Sequence, residues 1–361
     1  MHILFTLEYP HVPQVWSGGQ SSTHDLAKEL LKRGMTISVA ANLGRGDFVG
    51  LLARIGMKAL GRKFSRDYLP GYPVYRSWSI LENADIILRA AKPDVLVVTP
   101  VRAVRSVSAF QKANIPIVVY LRDLVELQNH GPLQELKDIT FIANSQFTAE
   151  RYREVFGIEA TVIPPLCRRE RYRTRSSRRN VTMINPHPLK GVDLAIQLAE
   201  RCPDIPFCFV HSWPLDLKYH ASLRQRIAEL PNVTLRPNTA DMRTVYGEAR
   251  VILMPSQWEE AWGRVASEAH FSGIPVLASK VGGLPESVGS GGVLVDKDAP
   301  VQCWESHLKR LWSDEAFYQM LSTAALAHSE RQDFNIDVQL GKFTRVVQQA
   351  IQARQRERPG G

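Results

Sequence analysis

The chain has 361 residues, 44% hydrophobic and 22% charged, which fits a globular α/β enzyme of two ordinary domains and excludes a disordered or fibrous protein. No run approaches the roughly 18 apolar residues of a membrane-spanning helix, and Glu8 follows the first apolar residues too soon for a signal peptide. The net charge of +9 invites acidic partners, and the four cysteines show no metal or redox spacing, so a reduced, cytoplasmic setting is expected.

In chain order, residues 3–7 read as a strand, and Pro10 and Pro13 hold the loop that follows it extended. Gly18 and Gly19 then stand at a loop–helix junction, where glycine lets backbone N–H groups approach a ligand. Leu26, Leu30 and Leu31 recur at helical spacing up to Gly34, and 35–40 is the next strand. Residues 42–80 are irregular for a β–α–β pattern. Within them 48–63 (FVGLLARIGMKALGRK) pairs apolar residues with Arg54, Lys58, Arg62 and Lys63. It reads as a basic amphipathic helix, either packed on its own domain or lying on an anionic membrane surface.

The alternation then resumes. Helices are expected at 82–91 and 101–113, and strands at 94–98 and 117–121. After that last strand come Arg122 and, in the loop beyond, His130. Arg122 has two readings, a clamp on a phosphate or acidic acceptor group, or a salt bridge to Asp123 or Glu126. A lone loop histidine such as His130 is more often polar surface. Residues 139–143 and 160–163 are strands, with Ser145 capping a helix between them. Seven arginines crowd 168–179, which reads as a solvated linker without the aromatics of a nucleic-acid platform.

The second half restarts with a strand at 181–184. The loop Asn185 to Gly191 follows, where Lys190 stands at a helix start and adds its ammonium to the helix dipole. Strands follow at 207–210, 233–236 and 251–254, with helices at 217–230 and 241–249 between them. Residues 255–268 (PSQWEEAWGRVASE) form a loop carrying Glu260 and Trp262, and Gly263 then opens a helix expected to run to Gly273. The N–H groups of Gly263, Arg264 and Val265 make a candidate anion site. At about 100° per residue Glu268 falls on the edge of the core-facing side, about 7–8 Å along the axis from Gly263. Such a carboxylate wants a donor, and a ribose would supply two hydroxyls. Strands at 274–278 and 292–295 follow, and from Val301 the pattern is helical.

The spacing of Glu260 and Glu268, with Gly263 between and Gly273 and Pro275 after, resembles the retaining GT-B glycosyltransferases of family 4. The resemblance implies two Rossmann-like α/β domains facing each other across a cleft. It places an acceptor domain at 1–165, an arginine-rich linker at 166–180, a donor domain at 181–334, and a last helix at 335–361 that returns to the first domain. It implies a nucleotide diphosphate sugar as co-substrate with no metal or other cofactor. Glu260 and Lys190 would then be catalytic, with Glu268, Gly263, Arg264, Val265, Trp262, Gly18, Gly19 and Asn185 on the donor side. Arg122 and His130 would face the acceptor: a glycan, a lipid-linked molecule or a small molecule in cell-surface polysaccharide or glycolipid assembly. The family has an arginine where this chain has Asn185, which removes one cation from the leaving group; His187, Arg264 or a linker arginine is a possible substitute. The alternatives are an epimerase of the same fold and a non-catalytic sugar-nucleotide-binding partner. No nucleic acid is expected, and the setting is cytoplasmic or peripheral on the inner membrane face.

Overall fold

The computed structural model of the chain describes residues 1–124, 127–212 and 217–356. The chain divides into two compact units. Unit 1 takes Met1–Leu166 and resumes at Ile336, and unit 2 is Cys167–Asn335.

Unit 1 holds eight strands: β1 (His2–Leu7), β2 (Thr36–Asn42), β3 (Ser65–Asp67), β4 (Val74–Ser77), β5 (Val95–Thr99), β6 (Ile117–Leu121), β7 (Ile139–Ala143) and β8 (Thr161–Val162). Their order is β3-β4-β2-β1-β5-β6-β7-β8, parallel throughout except for the β3–β4 pair. The central strands are continuous apolar runs because helices cover both faces of a parallel sheet. The helix Ile336–Arg356 sets Leu340, Phe343, Val346 and Val347 in this unit's core, with Phe343 stacked on Phe5 at 6.1 Å between ring centroids.

Residues 42–80 supply β3 and β4, and their antiparallel pairing without a helix between them departs from the β–α–β pattern, as expected. Arg76 of β4 is fully buried and pins the loop after β1: it donates to Asp67 (2.6 Å), to the carbonyls of His11 (3.1 Å) and Val12 (2.8 Å), and to Gln14 (3.2 Å). That loop delivers Gly18 and Gly19 to the start of the helix Gly18–Lys32. The 48–63 segment is helical over Phe48–Ala59, but only Gly50, Ala53 and Met57 are buried, so its large apolar side chains do not pack on their own domain. Finally, the arginine-rich stretch is not simply solvated. It contains the short helix Arg169–Tyr172, with Tyr172 buried, and Arg168, Arg169 and Arg178 pair with Glu170, Glu330 and Glu315.

Unit 2 holds six strands: β9 (Asn180–Ile184), β10 (Phe207–Val210), β11 (Val233–Arg236), β12 (Ala249–Met254), β13 (Val276–Ser279) and β14 (Gly292–Val295). They are all parallel, in the order β11-β10-β9-β12-β13-β14. Counted within the unit this is 3-2-1-4-5-6, the doubly wound Rossmann order. Its strand order reverses between β9 and β12, and ligands bind outside the carboxyl ends of the strands at such a point.

Behind the sheet, His270 is fully buried, its ring 5.5 Å from that of His328 in an edge-on arrangement. Burial first, then the neighbouring His328 and Arg331, push its pKa down to about 3. The fold therefore accommodates the neutral ring. The contribution is complete above the unfolded value of about 6.5 and is lost as pH falls from there toward about 3. Denaturant titrations across that range should show stability falling on acidification, with a shallower fall in His270→Leu; parallel curves for the two proteins would refute the assignment.

Candidate functional site

Strands β9 and β12 lie side by side and point the same way, so the loops that follow them leave the sheet together. Their contact is backbone on backbone. Gly191 sits at φ 77°, and a Cβ there would stand 1.9 Å from the carbonyl oxygen of Pro255, so only glycine fits. The N–H of Gln257 donates to the carbonyl of Leu189 at 2.9 Å, tying the two loops a second time.

This packing brings Lys190 and Glu260 together across 70 residues of sequence. The ammonium donates to Glu260 Oε1 at 2.5 Å, and it lies 4.6 Å from the centroid of the Trp258 ring. Ser256 Oγ donates to the same carboxylate oxygen at 2.7 Å. Burial alone would raise the Glu260 pKa, but Lys190 and the hydrogen bonds from Lys190, Ser256 and Trp258 outweigh it and hold the carboxyl below its ordinary value. From below, the N–H of Gly283 donates to the Glu260 carbonyl at 2.6 Å. Glu260 is thus a fixed carboxylate with a cation, a hydroxyl and an aromatic ring around it.

Eight residues on, Glu268 belongs to a second group. The helix here is Arg264–His270, shorter than expected, because Gly273 at φ 63° turns the chain toward β13. Glu268, expected on the edge of the core-facing side, is buried at 6% exposed. Its Oε1 accepts from Arg264 at 2.6 Å and its Oε2 from the Tyr246 hydroxyl at 2.7 Å, while Arg264 also donates to the Tyr172 hydroxyl at 2.6 Å. The expectation of a carboxylate in want of donors is therefore corrected, since Arg264 and Tyr246 already supply them. Arg264 is likewise engaged and does not replace the family's missing arginine. Burial and then Lys190 lower the pKa of His187, the other expected substitute.

Three further expectations change. Trp262 does not line an open site: it is 4% exposed, its indole N–H donates to Ser267 at 3.0 Å, and its ring packs on Phe334. Asn185 is buried at φ 66°, a left-handed position that asparagine tolerates well. In unit 1, His130 is not polar surface. It is buried, its Nδ1 accepts from the N–H of Ala103 (3.2 Å) and its Nε2 meets the Tyr152 hydroxyl (3.2 Å). That hydroxyl donates to the Asp123 carbonyl at 2.9 Å, so the network assigns His130 the neutral Nε2–H tautomer. Burial, opposed by Asp123 and Glu8, lowers its pKa.

Arg122 stacks 3.8 Å over the Tyr120 ring and donates to Thr23 Oγ1 at 2.7 Å, which turns it toward the helix behind Gly18 and Gly19. Glu126, its other expected partner, lies outside the described residues. A Cβ at Gly18 or Gly19 would meet nothing within 4 Å, so the fold itself does not require glycine at either. Tyr172, Tyr246, Ser256 and Trp258 escaped the sequence reading, because nothing in their spacing says which carboxylate each hydroxyl or ring will reach.

Comparison with known proteins now decides the class. The Glycosyltransferase Family 4 model matches residues 16–171, and the Glycosyl transferases group 1 model matches residues 182–314. The chain carries the two domains of the GT-B glycosyltransferases. Among solved structures, the chain is similar to HepE of Anabaena in complex with UDP and glucose (TM-score 0.76, 20% identity, 96% of this chain and 99% of that one). It is also similar to a glycosyltransferase from Rickettsia africae (TM-score 0.74, 15% identity, 97% and 98%). At these identities the likeness is one of fold. Among curated relatives, the D-inositol 3-phosphate glycosyltransferase of Corynebacterium diphtheriae is 42% identical over 91 residues, 25% of this chain and 21% of that protein. The one from Corynebacterium urealyticum is 33% identical over 156 residues, 40% and 36%. These alignments span well under two thirds of the relatives' length.

Gly191→Ala should disorder both loops of the site. The left-handed backbone costs about 1–3 kcal/mol for a residue with a Cβ, and the contact with Pro255 adds to it. Thermal unfolding should register that loss; a variant as stable as the parent would show that the loops are not packed this closely.

Proposed function

We propose that the protein is a retaining, metal-independent glycosyltransferase that moves a sugar from a nucleotide diphosphate sugar to an acceptor hydroxyl. The observation that carries the reading is the pairing of Lys190 with Glu260 at the switch point of the unit 2 sheet. A cation and a carboxylate side by side suit the two halves of such a donor. The diphosphate takes the ammonium, and the sugar hydroxyls donate to the carboxylate.

In the reaction the bond between the anomeric carbon and the diphosphate oxygen breaks, and that oxygen gains negative charge. Lys190 stabilises it, with the N–H groups of Gly263, Arg264 and Val265 as further donors; fixed charges of this kind are among the largest contributions to catalysis. Glu260 holds the sugar and steadies its oxocarbenium-like state. The acceptor oxygen bonds to the anomeric carbon on the face the phosphate leaves, and its proton passes to the departing phosphate oxygen. To reach the diphosphate, Lys190 exchanges Glu260 for phosphate oxygens, and a sugar hydroxyl takes its place on the carboxylate. Glu268 has a supporting part, holding Arg264 and Tyr246, and a ribose that reaches it shares it with them. The acceptor is a glycan, a lipid-linked molecule or a small molecule, and Arg122 is its candidate contact on unit 1, while Gly18 and Gly19 stay candidates for the donor.

The test is a screen of nucleotide diphosphate sugars with and without acceptors, the anomeric configuration of the product being read by proton NMR. Lys190→Ala and Glu260→Ala should each lower turnover by about 100-fold or more. Rates unchanged in both, or a product of inverted configuration, would overturn the reading.

A further inference from the structure

The helix Phe48–Ala59 of unit 1 turns its apolar side to solvent. Phe48 is 71% exposed, Leu51 45%, Leu52 52% and Ile55 57%, and Leu60 at its end 62%. At about 100° per residue Phe48, Leu51, Leu52 and Ile55 share one face, and Gly50, Ala53 and Met57 share the opposite one, which is buried. The buried face is fixed: a Cβ on Gly50 would stand 2.3 Å from the carbonyl oxygen of Gly44, so the helix lies directly on its own loop and does not roll over to hide the leucines. Soluble surfaces carry single apolar residues freely, but a contiguous row of four marks a docking site.

The charges around the row name its partner. Arg45, Arg54, Lys58, Arg62 and Lys63 are all exposed, and none has an acidic partner among the described residues. The one acid within 43–63 is Asp47, which caps the helix by accepting from the N–H of Gly50 at 2.8 Å and also accepts from Gln14 at 2.8 Å. Trp78 is exposed beside Arg45, whose guanidinium carbon lies 5.4 Å from the ring centroid. An apolar row flanked by free cations and an indole is the pattern of a helix lying in the plane of an anionic bilayer, with leucines in the acyl region and cations at the phosphates. A second copy of the chain fits less well, because a symmetric contact would set these five cations against themselves.

We infer that unit 1 docks on anionic lipid bilayers through the helix Phe48–Ala59. This docking concerns unit 1 alone and does not depend on the chemistry of unit 2.

The experiment is co-sedimentation of the full chain with vesicles of phosphatidylcholine alone or with 30% phosphatidylglycerol, over a series of salt concentrations. The parent protein should bind the anionic vesicles, more weakly as salt rises, and leave the neutral ones largely in solution. Leu51→Ser/Leu52→Ser/Ile55→Ser and Lys58→Glu/Arg62→Glu/Lys63→Glu should each lower the binding tenfold or more. All these side chains are exposed, so circular dichroism should show both variants folded. Failure of the parent to bind anionic vesicles, or variants that bind as the parent does, would overturn the inference. A parental dimer in sedimentation velocity that the serine variant abolishes, without vesicle binding, would assign the face to a second copy and overturn it too.

Discussion

Two neighbouring parallel strands release their loops at the same edge of a sheet, and in unit 2 this constraint sets Lys190 against Glu260. The two residues are far apart in sequence, yet β9 and β12 pair side by side in parallel and Gly191 lets their loops touch backbone to backbone. The remaining groups are arranged around that contact. Ser256 and Trp258 come from the loop after β12, and the N–H of Gly283 holds the Glu260 backbone from the loop after β13. Neither charge is solvated as it would be in water, and each is the other's main compensation. The pair is therefore stable until something supplies a better anion for the lysine and a better donor for the carboxylate at once.

The second carboxylate is set in a different environment. Glu268 and Arg264 form a buried pair, closed by the hydroxyls of Tyr246 and Tyr172. Tyr172 belongs to the arginine-rich stretch near the start of unit 2, so this network ties that stretch to the helix behind the site. Two buried glutamates eight residues apart thus carry different loads, one in the loop against Lys190 and one in the helix that follows.

Much of this was legible in the sequence. The continuous apolar runs marked the central strands because a parallel sheet is covered on both faces, and Gly191 and Gly263 marked turns that no other residue fits. The failures have physical causes. β3 and β4 are short, and Arg76 looks like any charged residue until its four partners are brought around it. A hydrophobic pattern shows that a helix has an apolar side but not which way it faces, so the helix at 48–59 read equally well as packed or exposed. Charge positions were visible for Glu268 and Arg264, but their pairing depends on Tyr246 and Tyr172, residues distant in sequence from the motif. Asn185 was visible as a departure, and its left-handed backbone was not.

The central claim is that Lys190 passes from Glu260 to the diphosphate of the donor. Calorimetric binding of uridine, guanosine and adenosine diphosphates to the parent, Lys190→Ala, Glu260→Gln and the double variant tests it directly. These ligands carry no transferable sugar on the diphosphate, so Glu260 only competes for the ammonium. Glu260→Gln should tighten binding of the preferred nucleoside diphosphate, Lys190→Ala should weaken it, and the double variant should lose the gain. Equal affinities in all four proteins would contradict the account.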